Sequence, residues 1–243
     1  MNLKVVNVNV ETHDTKTFIL EDADEGGRPW DYWAGQYLTF RFDGIAEKPI
    51  VRSYTMSSST NQGDLCAVTV KRVDKGLVSN WFCDNVKVGD ILRARGPIGR
   101  FIYEPEKDRE HLVMVAAGSG VTPFVSIMRE YAGKIGTAGA PKRMTLLVSY
   151  RSRQDLILHK DLVEINQAPG CAVAITLSRD PSAPNSFWQG RVSADLLIKA
   201  VNDDFANCTF MSCGPTAIMD LTGEVARSKG VPEAQIKKES FET

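Results

Sequence analysis

The chain has 243 residues, 43% hydrophobic and 24% charged. It is too long for one average domain and apolar enough to bury a sizeable core, so two compact units are expected and a disordered chain or a coiled coil is not. With 29 basic and 30 acidic residues the formal net charge is -1, which gives no field for attracting nucleic acid, so any phosphate site must be local.

The first part of the chain, through residue 105, reads as short β-rich runs separated by turns: residues 4–10, 17–20, 37–42, 52–57, 67–71 and 91–95. This spacing predicts an antiparallel barrel. One helical stretch, 78–85, interrupts it, introduced by Gly76 with Ser79 near its start. From His111 the pattern becomes apolar strand, glycine turn, helix. Strands are predicted at 111–116, 144–150, 173–177 and 209–213, alternating with helices at 124–133, 160–166, 193–201 and 216–229. That alternation predicts an α/β domain with a doubly wound parallel sheet. The charged stretch 103–110 reads as a solvated linker, so the domains are expected at 1–107 and 108–243.

No apolar run approaches the roughly 20 residues needed to cross a bilayer, so no membrane span is expected. The first six residues alternate like a strand and lack the h-region of a signal peptide, which makes the cytoplasm the expected location. Five cysteines without a C-x-x-C pair predict reduced thiols rather than a disulfide framework or a zinc ribbon, and no metal site is expected.

Four segments can carry chemistry. Arg52-Ser53-Tyr54-Thr55-Met56-Ser57 places Arg52, Tyr54 and Met56 on one strand face and Ser53, Thr55 and Ser57 on the other. A cation beside an aromatic plane suits a flavin nucleotide, although a solvated surface strand would read the same way. Residues 68–81 pass from a strand through Lys71, Arg72, Val73 and Gly76 into the helix containing Ser79, and the helix N-terminus can receive an anion or simply be capped. Residues 116–123, with Gly118, Gly120, Val121 and Thr122, form a glycine turn between strand and helix. Pro123 replaces the third glycine of the dinucleotide fingerprint, so the turn suits either a pyrophosphate or a plain tight connection. Residues 210–219 end a strand at Cys213-Gly214, on the edge of the sheet where ligands bind, though such a Cys can equally be inert core.

The ordered set R-x-Y-T-x-S at 52–57, V-K-R-V-x-x-G-x-x-S at 70–79, G-P-I-G-R-F at 96–101, G-S-G-V-T-P at 118–123 and C-G-P at 213–215 resembles the ferredoxin-NADP reductase superfamily over nearly the whole chain. The likeness is greatest to the flavin modules of oxygenase reductases and to NADH oxidoreductases serving hybrid-cluster proteins. It implies an FAD-binding barrel followed by an NAD(P)-binding α/β domain, with nicotinamide meeting flavin in the interdomain cleft. By the same resemblance Arg52 holds the FAD pyrophosphate, Tyr54 stacks on the flavin and the Thr55 hydroxyl approaches N5. Lys71, Arg72 and Val73 line FAD by main chain, while Gly76 and Ser79 contact phosphate. Gly118, Gly120, Val121 and Thr122 cradle the pyridine nucleotide, and Cys213 and Gly214 border its nicotinamide.

Many such reductases carry a fused [2Fe-2S] domain. Cys208 and Cys213 stand as C-x4-C, but residue 216 is Thr where a third Cys is needed, so no cluster is expected here. The chain stops about where those relatives continue into that domain. The implied function is an NAD(P)H oxidoreductase passing electrons through FAD to a redox protein acceptor, an iron-sulfur or haem protein. The alternatives are a flavin reductase and a non-catalytic flavin-binding electron-transfer subunit. His13, His111 and His159 lie outside every motif and are expected at the surface or at strand ends. Ser178-Arg179, at the end of a predicted strand, can bind the 2'-phosphate of NADPH. The relatives the chain otherwise resembles generally use NADH, so activity with both coenzymes and a slight NADPH preference is expected.

Overall fold

The computed structural model describes every residue except Pro29, Asp203, Glu242 and Thr243. It divides into two compact units, Met1–Ile102 and Tyr103–Thr243.

The first unit contains β1 (Asn2–Thr12), β2 (Thr15–Asp22), β3 (Tyr37–Phe42), β4 (Ile50–Thr55), β5 (Cys66–Lys71), α1 (Leu77–Asn85) and β6 (Ile91–Ile98). All neighbouring strands are antiparallel, in the order β4-β3-β6-β1-β2-β5. Met56, just past β4, bridges to Val68 of β5, which joins the two edge strands into a barrel and removes the open edges. Leu3, Phe18, Leu38, Phe40, Met56 and Val68 fill the interior. The lone helix has a packing reason. Phe82 of α1 is completely buried and meets four aromatic rings edge to face: Phe18 at 4.6 Å, Tyr54 at 5.5 Å, Phe42 at 5.6 Å and Phe40 at 5.7 Å. Such contacts add to the value of the area buried, so α1 stoppers the barrel. The Lys16 ammonium donates to the Cys83 carbonyl at 2.7 Å, placing a cation at the negative end of the helix.

The second unit contains β7 (His111–Ala117), α2 (Thr122–Tyr131), β8 (Arg143–Tyr150), α3 (His159–Ile165), β9 (Cys171–Leu177), β10 (Trp188–Gln189), α4 (Ala194–Val201), β11 (Cys208–Cys213), α5 (Thr216–Ser228) and β12 (Ile236–Glu239). The sheet is parallel throughout, in the order β10-β9-β8-β7-β11-β12. Its central strand β7 carries the unbroken apolar run of residues 112–117, and β8 and β11 are almost wholly buried, as expected where helices cover both faces. Successive strands run from β7 to β8 to β9 in one direction, then the chain crosses back to place β11 on the other side of β7. The topological switch point therefore lies between β7 and β11, where ligands of open α/β sheets bind. Ser193 caps α4 by accepting from the Leu196 N–H, and Pro123 sits in the first turn of α2.

Residues 103–110 are a solvated linker only in part: residues 105–107, 109 and 110 are exposed, but Tyr103 and Asp108 are buried. Tyr103 is buried and packs edge to face on Tyr131 at 5.4 Å. Asp108 Oδ2 accepts from the Glu104 N–H at 2.7 Å and from Lys237 Nζ at 2.6 Å, while Gln235 donates to the Lys107 carbonyl at 2.8 Å. Of its charges, Glu104 and Asp108 fasten Lys237 of β12 to the start of the unit. Two short strands, β10 and β12, lie outside the predicted set because two to four residues carry too little periodicity to read. Among the described residues no helix is long and apolar enough to cross a membrane.

Candidate functional site

In the first unit the face shared by Arg52, Tyr54 and Met56 runs from core to rim. Met56 is fully buried, Tyr54 is half-buried against Phe82 and Phe40, and Arg52 is exposed. Burial pushes the Tyr54 phenol well above its ordinary range, so it stays neutral. The Arg52 guanidinium donates only to the adjacent Val51 carbonyl at 2.8 Å, and among the described residues no carboxylate pairs with it. It offers most of its donors to an incoming anion. Thr55 and Ser57 are buried. The Ser57 hydroxyl accepts from Thr69 Oγ1 at 2.9 Å, which ties it into the barrel wall rather than the rim.

The turn from β5 into α1 is organised more tightly than its spacing suggests. The Lys71 ammonium pairs with Asp14, and Arg72 pairs with Asp84 at 2.6 Å, so neither side chain faces outward alone. The Arg72 N–H donates to the Asp14 carbonyl at 2.8 Å and the Val73 N–H to Ser79 Oγ at 3.0 Å. Those two amides, expected to line a cofactor, are thus engaged within the chain, and Ser79 acts first as the clasp of its own turn. Its hydroxyl proton is not used by that bond. Gly76 has no room for a side chain: a Cβ there would lie 2.8 Å from Ser79 Oγ and 2.9 Å from Val73 Cβ. No side chain caps α1, leaving its first-turn N–H groups to meet an outside acceptor. Val73 and Leu77 are exposed apolar residues flanking this turn. An anion-receptive helix end with apolar shoulders and a rim guanidinium fits a flavin nucleotide.

In the second unit the structure brings two predicted motifs into contact. Gly118–Val121 form a short 3-10 turn leading into α2, and Thr122 Oγ1 donates to the Ser119 carbonyl at 3.0 Å. Val121 and Thr122 are buried beneath this turn. A Cβ on Gly120 would stand 2.3 Å from the Cys213 carbonyl oxygen and 3.0 Å from the Gly214 nitrogen. Gly214 in turn has a φ of 142° and approaches Ala117 N, which a Cβ would meet at 3.2 Å. The strand ends of β7 and β11 therefore meet backbone to backbone at the switch point, with no side chain between them and the glycine turn as the floor beside them. That floor fits a pyrophosphate and a flat ring.

Cys213 is fully buried, and burial with the neighbouring Glu239 carboxylate drives its thiol far above the usual range. It stays a neutral SH and has no nucleophilic character. Glu239, opposite Cys213 in the β11–β12 register, is not among the expected site residues. Burial raises its pKa to about 7, and its Oε2 has no hydrogen-bond partner. A carboxyl whose burial favours the neutral form, with an unpartnered oxygen, can accept from an amide or a hydroxyl that reaches it. The sequence signal for it is weak, since β12 is only four residues long.

Ser178 and Arg179 follow β9 at the same edge of the sheet. The Ser178 hydroxyl donates to the Tyr150 carbonyl at 3.3 Å, and Arg179 is exposed. Cys208 and His111 occupy the opposite end of the sheet. Both are buried: His111 Nδ1 lies 3.2 Å from Cys208 Sγ and its Nε2 lies 3.0 Å from Thr145 Oγ1. Burial lowers the His111 pKa to about 4, so this strand-end histidine is an interior neutral group rather than a surface one.

Comparison with known proteins agrees with this division. Residues 2–103 match the oxidoreductase FAD-binding domain model and residues 114–224 the oxidoreductase NAD-binding domain model. The chain is 31% identical to the NADH oxidoreductase HCR of Escherichia coli, over 99% of this chain and 68% of that protein. It is 28% identical to the ferredoxin reductase component of 3-ketosteroid-9-alpha-monooxygenase from Rhodococcus rhodochrous, over 98% of this chain. It is 30% identical to the glycine betaine monooxygenase reductase subunit of Chromohalobacter salexigens, over 99% of this chain. In both of these oxygenase proteins it spans 64% of the relative's length. The crystal structure of the flavohem-like FAD/NAD binding domain of nitric oxide dioxygenase from Vibrio cholerae superposes with a TM-score of 0.85 at 26% identity, covering 99% of this chain and 98% of that one. With a closed antiparallel barrel, a parallel sheet with a glycine-floored switch point, and matches to both domain models, the chain belongs to the ferredoxin-NADP reductase-like family of FAD- and NAD-binding oxidoreductases.

Proposed function

We propose that this protein oxidises NADH or NADPH with FAD and hands the electrons on, singly, to a separate redox protein carrying an iron-sulfur centre or haem. The observation that carries the reading is the backbone contact of Gly120 with Cys213-Gly214, which joins two of the sequence motifs at the switch point, where dinucleotides bind to open α/β sheets. FAD supplies the ability to take up a hydride and release its electrons one at a time. The chain's own work is binding and alignment. Arg52 and the N-terminus of α1 hold phosphate, and Tyr54 presents a neutral aromatic face. The Thr55 hydroxyl is assigned to the flavin edge. Gly118, Gly120, Val121 and Thr122 seat the coenzyme pyrophosphate, while Cys213 and Gly214 border the nicotinamide as an uncharged wall. A protein acceptor is supported by the names of the relatives, which are reductase components and subunits of oxygenases.

The test is the visible spectrum of the purified protein under nitrogen. A retained yellow colour that bleaches rapidly with NADH or NADPH, followed by reduction of an added one-electron protein acceptor, is the expected result. Retained colour without bleaching would make the chain a flavin-binding module. Weak flavin retention with fast turnover of added free flavin would make it a flavin reductase.

A further inference from the structure

The hairpin joining β1 to β2 turns at His13-Asp14, and the two oxygens of the Asp14 carboxylate have different partners. Oδ1 accepts from Thr12 Oγ1 at 2.8 Å and from Thr15 Oγ1 at 2.9 Å, which closes the turn locally. Oδ2 instead reaches the Lys71 ammonium at the end of β5, 57 residues away in the chain. The Asp14 carbonyl also accepts from the Arg72 N–H at 2.8 Å, carrying the β2–β5 ladder one residue past its last pair, Thr15 with Lys71. The ion pair is sheltered, with side chains 22% and 27% exposed. Burial works against the Asp14 charge, but hydrogen bonds from Lys71, Thr12 and Thr15 outweigh it and hold the carboxyl below the usual carboxylate range. A hairpin turn needs only the local half of this arrangement.

The distant half fixes the exit of β5 into α1. Directly after Lys71 and Arg72 the chain turns through residues 73–76 and enters α1, whose first-turn N–H groups have no side-chain cap. That turn is closed on itself: Asn80 Nδ2 donates to the Val73 carbonyl at 3.1 Å and to the Gly76 carbonyl at 2.7 Å, and the Val73 N–H donates to Ser79 Oγ at 3.0 Å. It moves as one piece. At the other end of α1, Lys16, two residues beyond Asp14, donates to the Cys83 carbonyl. The hairpin therefore holds the β5–α1 segment at both ends, and Asp14 holds the end from which the uncapped amides project. A phosphate is bound well only where several N–H groups converge on one point, so the direction in which the chain leaves β5 sets the strength of such a site. The ion pair has a second consequence. It keeps the Lys71 cation on the barrel wall and neutralises a carboxylate that would otherwise repel a phosphate nearby.

We propose that Asp14 is a positioning residue for the phosphate end of the flavin site: by holding the Lys71 ammonium and the Arg72 amide it aims the N-terminus of α1 at the flavin phosphate, and it keeps Lys71 itself out of that contact. This inference rests on the reading that the N-terminus of α1 receives the flavin phosphate.

The test is titration of the flavin-free full chain with FAD, FMN and riboflavin, followed by flavin fluorescence. Riboflavin carries the ring without a phosphate, so it reports whether the ring site is folded in each variant. Asp14→Asn keeps the shape and an acceptor for the two threonines while removing the charge that holds Lys71. It is expected to weaken FAD and FMN roughly tenfold, the scale of one charge-assisted hydrogen bond, and to leave riboflavin within about twofold. Lys71→Met removes the other half of the pair and is expected to weaken the same two flavins by a similar factor, with the double variant no weaker than either single one because both act through one contact. The signs discriminate. A Lys71 that itself bound phosphate would make Asp14→Asn tighten FAD and FMN while Lys71→Met weakened them, and that result overturns the proposal. Equal losses for all three flavins would make Asp14 a fold-stabilising residue only, and overturn it as well. If the parent prefers FMN to riboflavin and Asp14→Asn keeps that preference, this proposal alone falls; if the parent shows no such preference, the phosphate assignment of α1 falls and takes the proposal with it.

Discussion

Gly120→Ala is the sharpest perturbation this fold offers. The backbone at Gly120 lies outside the left-handed region, so alanine brings no conformational penalty, and the effect must come from contact alone. The new Cβ would lie 2.3 Å from the Cys213 carbonyl oxygen and 2.7 Å from its carbon. A carbon and an oxygen normally approach no closer than about 3.3 Å, so either the glycine turn or the end of β11 must retreat by roughly 1 Å. The obstacle is backbone in a parallel strand, which cannot swing aside as a side chain does. Overpacking of this kind costs typically about 1–3 kcal/mol. A shift of about 1 Å in a positioning element can slow chemistry by as much as roughly a hundredfold. The expected result is a lower urea midpoint, weaker binding of 5'-AMP and at least tenfold slower anaerobic bleaching by NADH, with FAD content unchanged because the first unit is untouched. Gly133→Ala, outside the glycine turn, is the control: its backbone also lies outside the left-handed region and a Cβ placed there would meet nothing within 4 Å. If Gly120→Ala bleaches within twofold of the parent and binds 5'-AMP normally, the close approach of the two motifs is not functional.

Arg52→Ala should weaken FAD retention by roughly 1.5–3 kcal/mol, the range for hydrogen bonds to a charged group; full flavin occupancy after extended dialysis would sink the assignment. Cys213→Ala should slow anaerobic bleaching more than it lowers FAD content, and rapid mixing that shows no change would leave Cys213 a packing residue. Arg179→Ala should lower the ratio of kcat/KM for NADPH to that for NADH, and an unchanged ratio would show that Arg179 does not read the 2'-phosphate. Glu239→Gln should expose a pH dependence hidden in the parent. His111 has a folded pKa of about 4 against 6.5 unfolded, so stability is lost as pH falls through that window, while Glu239, about 7 folded against 4.5, loses stability as pH rises through its own. Between pH 4.5 and 6.5 the two slopes oppose one another; without Glu239, urea denaturation should show stability rising with pH by up to about 1.4 kcal/mol per unit, and a slope equal to the parent's would refute the opposition.

The architecture is legible because barrel and parallel sheet carry opposite periodicities, and the change between them at His111 needs no long-range information. The individual roles are less so. Nothing local announces that Phe82 will meet four rings from β2, β3 and β4, or that Gly120 is small because of a carbonyl more than ninety residues away; both are facts of closure, visible only when distant strands are adjacent. Charges mislead in a consistent direction. Residues 103–110 suggest solvent, yet Asp108 among them is buried against Lys237, and Lys71 and Arg72, expected to line FAD by main chain, commit their side chains to Asp14 and Asp84. A charge in a sequence is read as exposed because burial without a partner is prohibitive, and the partner is what the local sequence does not display.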